Sequence, residues 1–404
     1  MYIKRAIEET IKKTNSSFPV VLITGPRQVG KTTVLENIKE ENRSYVTLDD
    51  PTIRLLAKTD PALFIERYSP PVIIDEIQYA PELLPFIKME VDKNKRTGDY
   101  WITGSQMFHL MKSASESLAG RVGIINLLGF SNSEISSYES KPFTTGKQAL
   151  LEKIKIRKLQ NLNEVYNNIY KGGMPAIYDK NPSLDTFFGS YIDSYLKRDI
   201  KDLTQVADEM TFMKFLTAVA ARTGQMLNYT DLAKDVGISS PTAKQWISLL
   251  VSSGMVYLLE PYYNNILKRS VKTPKMYFLD TGLCAYILKW TNAEILESGA
   301  MSGAFFETYV INEIVKSYYN AGKKPPIYYY RDKDQKEIDL ILEIDGTLYP
   351  IEMKKSATPN KDAIKHFSVL EKTKMPIGTG GVVCMYKDLV PIDKNNWYIP
   401  AWLI

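Results

Sequence analysis

Cysteine and histidine are nearly absent from this 404-residue chain, which has two of each. Cys284 and Cys384 stand alone in apolar segments. They read as buried small hydrophobes in a reducing compartment, which excludes a disulfide framework. With only His109 and His366 available, a histidine-rich zinc site is excluded as well. No uncharged apolar run reaches the roughly eighteen residues that a membrane-spanning helix needs. The opening stretch MYIKRAIEET is charged and has no apolar leader core, which argues against secretion and for the cytoplasm. Repeats, low-complexity runs and long linkers are also missing, so the domains are expected to pack closely. Neither sign of charge dominates: a net +5 permits a nucleic-acid partner without demanding one.

The chain does have enough apolar residues, 44% of the total, to build full cores, and its length suggests two or three domains. Short apolar runs alternate with amphipathic stretches over the first 130 residues, the pattern of a parallel sheet flanked by helices. The expected strands are 20–24, 45–48, 72–74, 100–103 and 123–128. Residues 131–205 read as a helical lid or linker region, 206–290 as a winged helix-turn-helix-like unit, and 291–404 as a C-terminal α/β unit.

The first chemical signal is Gly25-Pro26-Arg27-Gln28-Val29-Gly30-Lys31-Thr32, followed by Thr33. It fits GxxxxGK[ST] between the apolar strand VVLIT and a helical pattern, which is the context the motif requires. Glycines let such a loop turn its N–H groups onto phosphate oxygens, Lys31 suits the β- and γ-phosphates, and the Thr32 hydroxyl suits Mg²⁺. The second half is PPVIIDEIQ. An apolar strand delivers Asp75 to its C-terminal edge, fit for the Mg²⁺ shell, and Glu76 is placed as the general base for the attacking water. A further apolar strand ends in WITGSQ, where Thr103 or Ser105 can contact the γ-phosphate or the water. Ser105 can equally cap the helix QMFHLMK. These motifs imply ATP and Mg²⁺ as ligands.

GPRQVGKTT, the LDD at Asp49 and Asp50, IIDEIQ, TGS and SLAGRV together resemble the AAA-type ATPase module of a widespread prokaryotic family. In that family a second region of long-unknown function follows the module. The resemblance implies a homo-oligomer in which a neighbour's arginine completes the site. Arg121 in ESLAGRVG is the candidate, with pairing to an acidic neighbour as the alternative, and Arg198 is a weaker second candidate.

MLNYTDLAKDVGISSPTAKQWISLLVSSGMVYLLEPYYNN reads as a winged helix-turn-helix. Thr230 is the expected cap of its first helix, Gly237 its end, and Ser239 or Ser240 the cap of the next. The second helix offers only Lys244 and Gln245 to bases. Lys268, Arg269, Lys272 and Lys275 follow as a candidate phosphate-contacting cluster. Such a unit serves either as a DNA reader or as a lid or docking unit.

Further on, an amphipathic helix carries Glu307, and a β-meander with an Asp345-Gly346 turn carries Glu337-Ile338-Asp339 and Glu352-Met353-Lys354. Residues two apart on a strand share a face, so Glu352 and Lys354 project together, and Asp339 on the partner strand can meet them. Paired carboxylates of this kind suit a divalent cation such as Mg²⁺ or Mn²⁺, and a neighbouring ammonium suits phosphoryl chemistry. Cross-strand salt bridges are the plainer reading of the same residues. The arrangement resembles the PD-(D/E)xK nucleases, in which Glu307, Asp339, Glu352 and Lys354 match the helix acid, the metal acids and the lysine. The expected function is therefore an ATPase coupled to a nuclease-like domain acting on DNA. The alternative is an ATP-driven switch whose C-terminal domain only binds DNA or a protein.

Overall fold

The computed structural model describes residues 2–104, 117–196, 209–263 and 273–404. VVLIT is buried at every position, as a central strand covered on both faces must be. It forms β1 (Val20–Thr24), and with β2 (Ser44–Thr47), β3 (Val72–Asp75), β4 (Tyr100–Gly104) and β5 (Val122–Asn126) it builds a parallel sheet in the order β2-β3-β4-β1-β5. Alternation along β1 sends Val20 and Leu22 into one apolar layer with Ile74, Leu83 and Ile87. Val21 and Ile23 enter the opposite layer with Ile11, Val34 and Val165.

That second layer does not stop at the sheet. It runs without a break through helices Leu162–Lys171, Glu209–Ala220, Ser240–Ser252 and Ser302–Asn320 to Trp402 and Leu403. The segments 1–130, 131–205, 206–290 and 291–404 thus all contribute to one core.

In the middle unit, helix Glu209–Ala220 leads to β6 (Gln225–Met226), helices Tyr229–Val236 and Ser240–Ser252, then β7 (Val256–Leu259) and β8 (Lys275–Phe278). The three strands form an antiparallel sheet in the order β6-β8-β7. The cap of the first of these two helices is Asn228, which accepts from the amides of Thr230 and Asp231, and not the expected Thr230. The Asn228 carboxamide sits before the turn, where it can receive both amides. Ser239 caps the second helix, and Gly237 closes the first in the left-handed region.

The C-terminal part packs helix Ser302–Asn320 on a six-stranded sheet built from β9 (Ile327–Arg331), β10 (Glu337–Ile344), β11 (Thr347–Met353), β12 (Gly380–Cys384), β13 (Val390–Pro391) and β14 (Asn396–Pro400). Its order is β13-β14-β12-β11-β10-β9. Strands β9 to β11 form the expected meander, with Asp345 and Gly346 both at positive φ in the turn. The sheet then becomes mixed, because the chain crosses over to lay β12 parallel to β11. The middle unit is tied in by backbone bonds, Tyr329 N–H to Glu260 O and Tyr262 N–H to Tyr329 O. Both cysteines are buried thiols. No helix among the described residues is long and apolar enough to cross a membrane.

Candidate active site

The loop after β1 wraps tightly because its backbone leaves the usual regions at Gly25 (φ 153°), Gln28 (φ 61°) and Gly30 (φ 87°). A Cβ at Gly25 would lie 2.0 Å from the Leu127 carbonyl oxygen, so only glycine fits there. The buried Lys31 ammonium donates to the Gly25 and Pro26 carbonyls at 3.1 and 2.9 Å. Arg27, Gln28, Gly30, Lys31, Thr32 and Thr33 line a cleft of about 660 Å³, while Val29 points back into the core. Glu76 and Asp49 line the same cleft. Asp50, its neighbour, is spent as the cap of helix Pro51–Thr59.

Asp75, at the C-terminal end of β3, is buried and faces three hydroxyls. The Thr32 hydroxyl lies 3.0 Å from each carboxylate oxygen, Tyr45 donates to Oδ2 at 3.0 Å, and Thr103 donates to Oδ1. Burial first, and the Asp75 charge second, push the Tyr45 phenol well above its ordinary pKa, so it remains a donor. The Thr103 hydroxyl also accepts the Glu76 amide at 3.1 Å, which places it between the two acids. Glu76 is held in the left-handed region at φ 58°, an unfavourable backbone for a non-glycine residue. Its carboxylate receives the Gln78 side-chain amide.

Sequence reasoning missed the brace behind the loop. Arg5 is buried, donates to Val29 O and Leu128 O, each at 2.8 Å, and pairs with the equally buried Glu134 at 2.8 Å. Its guanidinium lies 4.7 Å from the centre of the Phe130 ring. Burial opposes the Glu134 charge, but Arg5 and the amides of Ser131 and Ala6 hold its carboxyl below the usual range. Nothing local marks Arg5, because its partners are 24 to 129 residues away. Tyr45 carried a weak signal, a phenol within an otherwise apolar strand. The far wall of the cleft comes from Pro175, Ala176, Asp179 and Lys180.

Arg121 lies at the other edge of the sheet. Its carbonyl receives the Val20 amide at the start of β1, whereas the phosphate loop leaves the end of that strand. Its side chain pairs with Asp92 of the same chain, the alternative weighed for it. Ser105 and Arg198 lie outside the described residues, as do Lys268, Arg269 and Lys272.

At the C-terminal set, Asp339 and Glu352 face each other one step beyond the Leu340↔Ile351 pair of β10 and β11. Asp339 accepts the Met353 amide at 2.8 Å. The Lys354 ammonium stands 2.9 Å from Glu352 and 3.7 Å from Asp339. Burial, and then Asp339, push the Glu352 carboxyl up to about 8. Burial also raises Glu307, on helix Ser302–Asn320, which accepts from the Tyr277 phenol at 2.6 Å and pairs with Lys275 at 3.3 Å. Lys275 pairs with Glu337 as well, at 2.6 Å. This corrects the expected exposed phosphate-contacting role of Lys275: the side chain is buried among carboxylates that compensate its charge. It also bears on the metal assignment of Glu307, Asp339 and Glu352. Among the described residues no three His, Cys, Asp or Glu side chains converge in a metal-ligating group. The carboxylates are held instead by two ammonium groups, so as arranged the set does not fit a metal ion.

Comparison with known proteins gives this geometry a family. The chain is 30% identical to an uncharacterized protein of Mycobacterium tuberculosis over 346 residues, covering 85% of this chain and 71% of that protein. An uncharacterized protein of Mycobacterium bovis matches to the same extent. The chain belongs to the family of these mycobacterial proteins. Within it, residues 17–136 match an AAA domain, while 162–294 and 302–404 match two domains of unknown function, DUF8612 and DUF4143. The N-terminal part is therefore an AAA-type P-loop ATPase module. Among solved structures the chain is similar to a Walker-type ATPase of Pyrococcus abyssi (13% identity, 70% of this chain, 94% of that one, TM-score 0.45). It is also similar to RuvB of Thermotoga maritima (16% identity, 62% and 85%, TM-score 0.28).

Proposed function

We propose that this protein hydrolyses ATP with Mg²⁺ in the cleft between the phosphate loop and the wall at Pro175–Lys180. The observation that carries the reading is the meeting of Thr32 and Asp75 at 3.0 Å beside Lys31 and Glu76. A hydroxyl and a carboxylate at the mouth of a phosphate loop are the donor set that suits a nucleotide-bound magnesium. Bound Mg·ATP supplies a γ-phosphoryl group made electrophilic by the metal. Within this chain, Lys31 exchanges the Gly25 and Pro26 carbonyls for phosphate oxygens. The N–H groups of residues 27–33, at the start of helix Lys31–Ile38, add to the anion field. Asp75, held by Tyr45 and Thr103, orients the Thr32 hydroxyl. Glu76, fixed through its own amide, takes the proton of the attacking water. Glu76→Gln tests this assignment: the variant should bind ATP and fail to turn it over. Turnover at the wild-type rate would remove Glu76 from the role.

For the C-terminal unit the first reading is a nuclease-like site acting on DNA, supported by the Asp339–Glu352–Lys354 geometry on adjacent strands. The second is an ATP-driven switch whose C-terminal unit docks DNA or a protein without cleaving. The specific observation in its favour is that ammonium groups hold the carboxylates where a nuclease needs a cation. Linear, circular and single-stranded DNA incubated in Mg²⁺ or Mn²⁺, with and without ATP, separates the two. Cleavage by wild type that Glu352→Ala abolishes supports the first. Intact ATP turnover with no cleavage supports the second. The exposed Lys244 and Gln245 face of helix Ser240–Ser252 is the proposed contact of the winged-helix-type middle unit with such a partner.

A further inference from the structure

Lys275 is the part of the C-terminal set that does not belong to the C-terminal unit. It opens β8, the last strand of the middle unit, yet its side chain is 5% exposed and ends among Glu307 of the long helix and Glu337 of β10. Burial works against its charge, but Glu307, Asp339 and Glu337 outweigh burial and hold the ammonium above the ordinary lysine range. Across the set, Glu307, Glu337, Asp339 and Glu352 face Lys275, Lys354 and Arg331. Four acids in one set thus meet three cations supplied by the chain itself.

Two contacts show that Lys275 is placed rather than merely tolerated. The Tyr277 phenol, two residues along β8 and on the same face, donates to the Glu307 carboxylate that Lys275 also holds. The Lys275 ammonium lies 5.7 Å from the centre of the Tyr329 ring, and the Tyr329 phenol in turn donates to Thr273 O, just before β8. The strand end is therefore clamped from both sides, and the ammonium is delivered into the acids.

From this placement we infer that Lys275 acts as a tethered cation that takes the place of a divalent metal ion in the C-terminal acidic set, so that the set excludes such an ion while β8 is docked. The inference rests on reading Glu307, which Lys275 holds, together with Asp339 and Glu352 as a cation-binding set.

The test is Mn²⁺ binding to nucleotide-free full-length protein, measured by calorimetry and by the shift of the melting temperature with Mn²⁺. Wild type and the charge-preserving Lys275→Arg should show no binding that depends on Glu352. Lys275→Gln should gain a Mn²⁺ site at least tenfold tighter than any in wild type, and Glu352→Gln in the same background should remove it. Lys275→Gln leaves two half-buried carboxylates less well paired and lowers stability, so the melt is decisive even for a poorly folded variant. Mn²⁺ should raise its melting temperature more than that of wild type. Glu352-dependent Mn²⁺ binding of equal strength in wild type and Lys275→Gln overturns the inference and leaves the cation-binding reading standing. No binding by either protein overturns both.

Discussion

The Tyr45 phenol, on β2, and the Asp75 carboxylate, on β3, are joined by a 3.0 Å hydrogen bond across the parallel sheet. The same carboxylate receives Thr32 and Thr103. Asp75 therefore has its orientation fixed from three elements before any nucleotide arrives. Tyr45→Phe removes one of these bonds at the cost of a single oxygen atom. A hydrogen bond to a charged group contributes about 1.5–3 kcal/mol, so ATP turnover should fall about tenfold or more, with a higher Mg²⁺ requirement and an unchanged fold. Steady-state kinetics across a Mg²⁺ titration, with circular dichroism as the control, check it.

Arg5 supports the phosphate loop from behind through Val29 O and is neutralised by Glu134. Arg5→Ala leaves Glu134 charged, buried and unpaired, which costs about 3–5 kcal/mol and should show as a large drop in melting temperature. Arg5→Lys keeps the charge but not the fork that bonds Val29, Leu128 and Glu134 together. Its stability should recover more than its nucleotide affinity does.

Arg121 cannot serve the cleft of its own chain, since it sits at the opposite edge of the sheet. If it completes a neighbour's site, turnover per subunit rises with protein concentration in wild type and stays low and flat in Arg121→Ala. Identical concentration curves for the two proteins restrict Arg121 to its pair with Asp92.

Lys153 gives a pH signature. Burial, with Arg157 adding like charge, pushes its ammonium down to about 7, and it donates to Leu403 O at 2.8 Å. The folded pKa is below the unfolded one, near 10.5. The unfolded chain therefore holds the extra proton between the two values, and stability must rise with pH across that window. Below about pH 7 the buried charge is fully penalised, and the penalty is relieved as pH climbs toward 10.5. Lys153→Met should consequently stabilise the protein more at pH 6.5 than at pH 9. Denaturant unfolding at the two values checks the sign.

The phosphate site was legible because its residues are consecutive. GPRQVGKTT and IIDEIQ each place their chemistry by one strand and one turn, and the structure joins Thr32 to Asp75 as the spacing implies. The C-terminal acids were partly legible for the same reason: the Asp345-Gly346 turn fixes the register that sets Asp339 against Glu352. What escaped was every contact made across long sequence distance. Arg5 binds 129 residues away, and Lys275 enters a site 32 to 64 residues further along the chain. A lysine among basic neighbours reads as a surface residue until the fold shows carboxylates closing over it. Thr230 failed as a cap for a smaller reason, since Asn228, two positions earlier, takes the amides of Thr230 and Asp231 and starts the helix there.

The apolar layer that begins beneath the phosphate loop ends only at Trp402 and Leu403. Among the described residues this layer leaves no seam at which heat or denaturant can separate the AAA-type module from the rest. Cut free, the long helix Ser302–Asn320 would present Phe305, Phe306, Ile311 and Val315 to water. Thermodynamic linkage then extends the reach of the nucleotide. At a hundredfold excess over its dissociation constant, a ligand adds about 2.7 kcal/mol to whatever unfolds as one unit with its site. The last strand of the C-terminal sheet should therefore resist melting and proteolysis better when ATP is bound in the cleft.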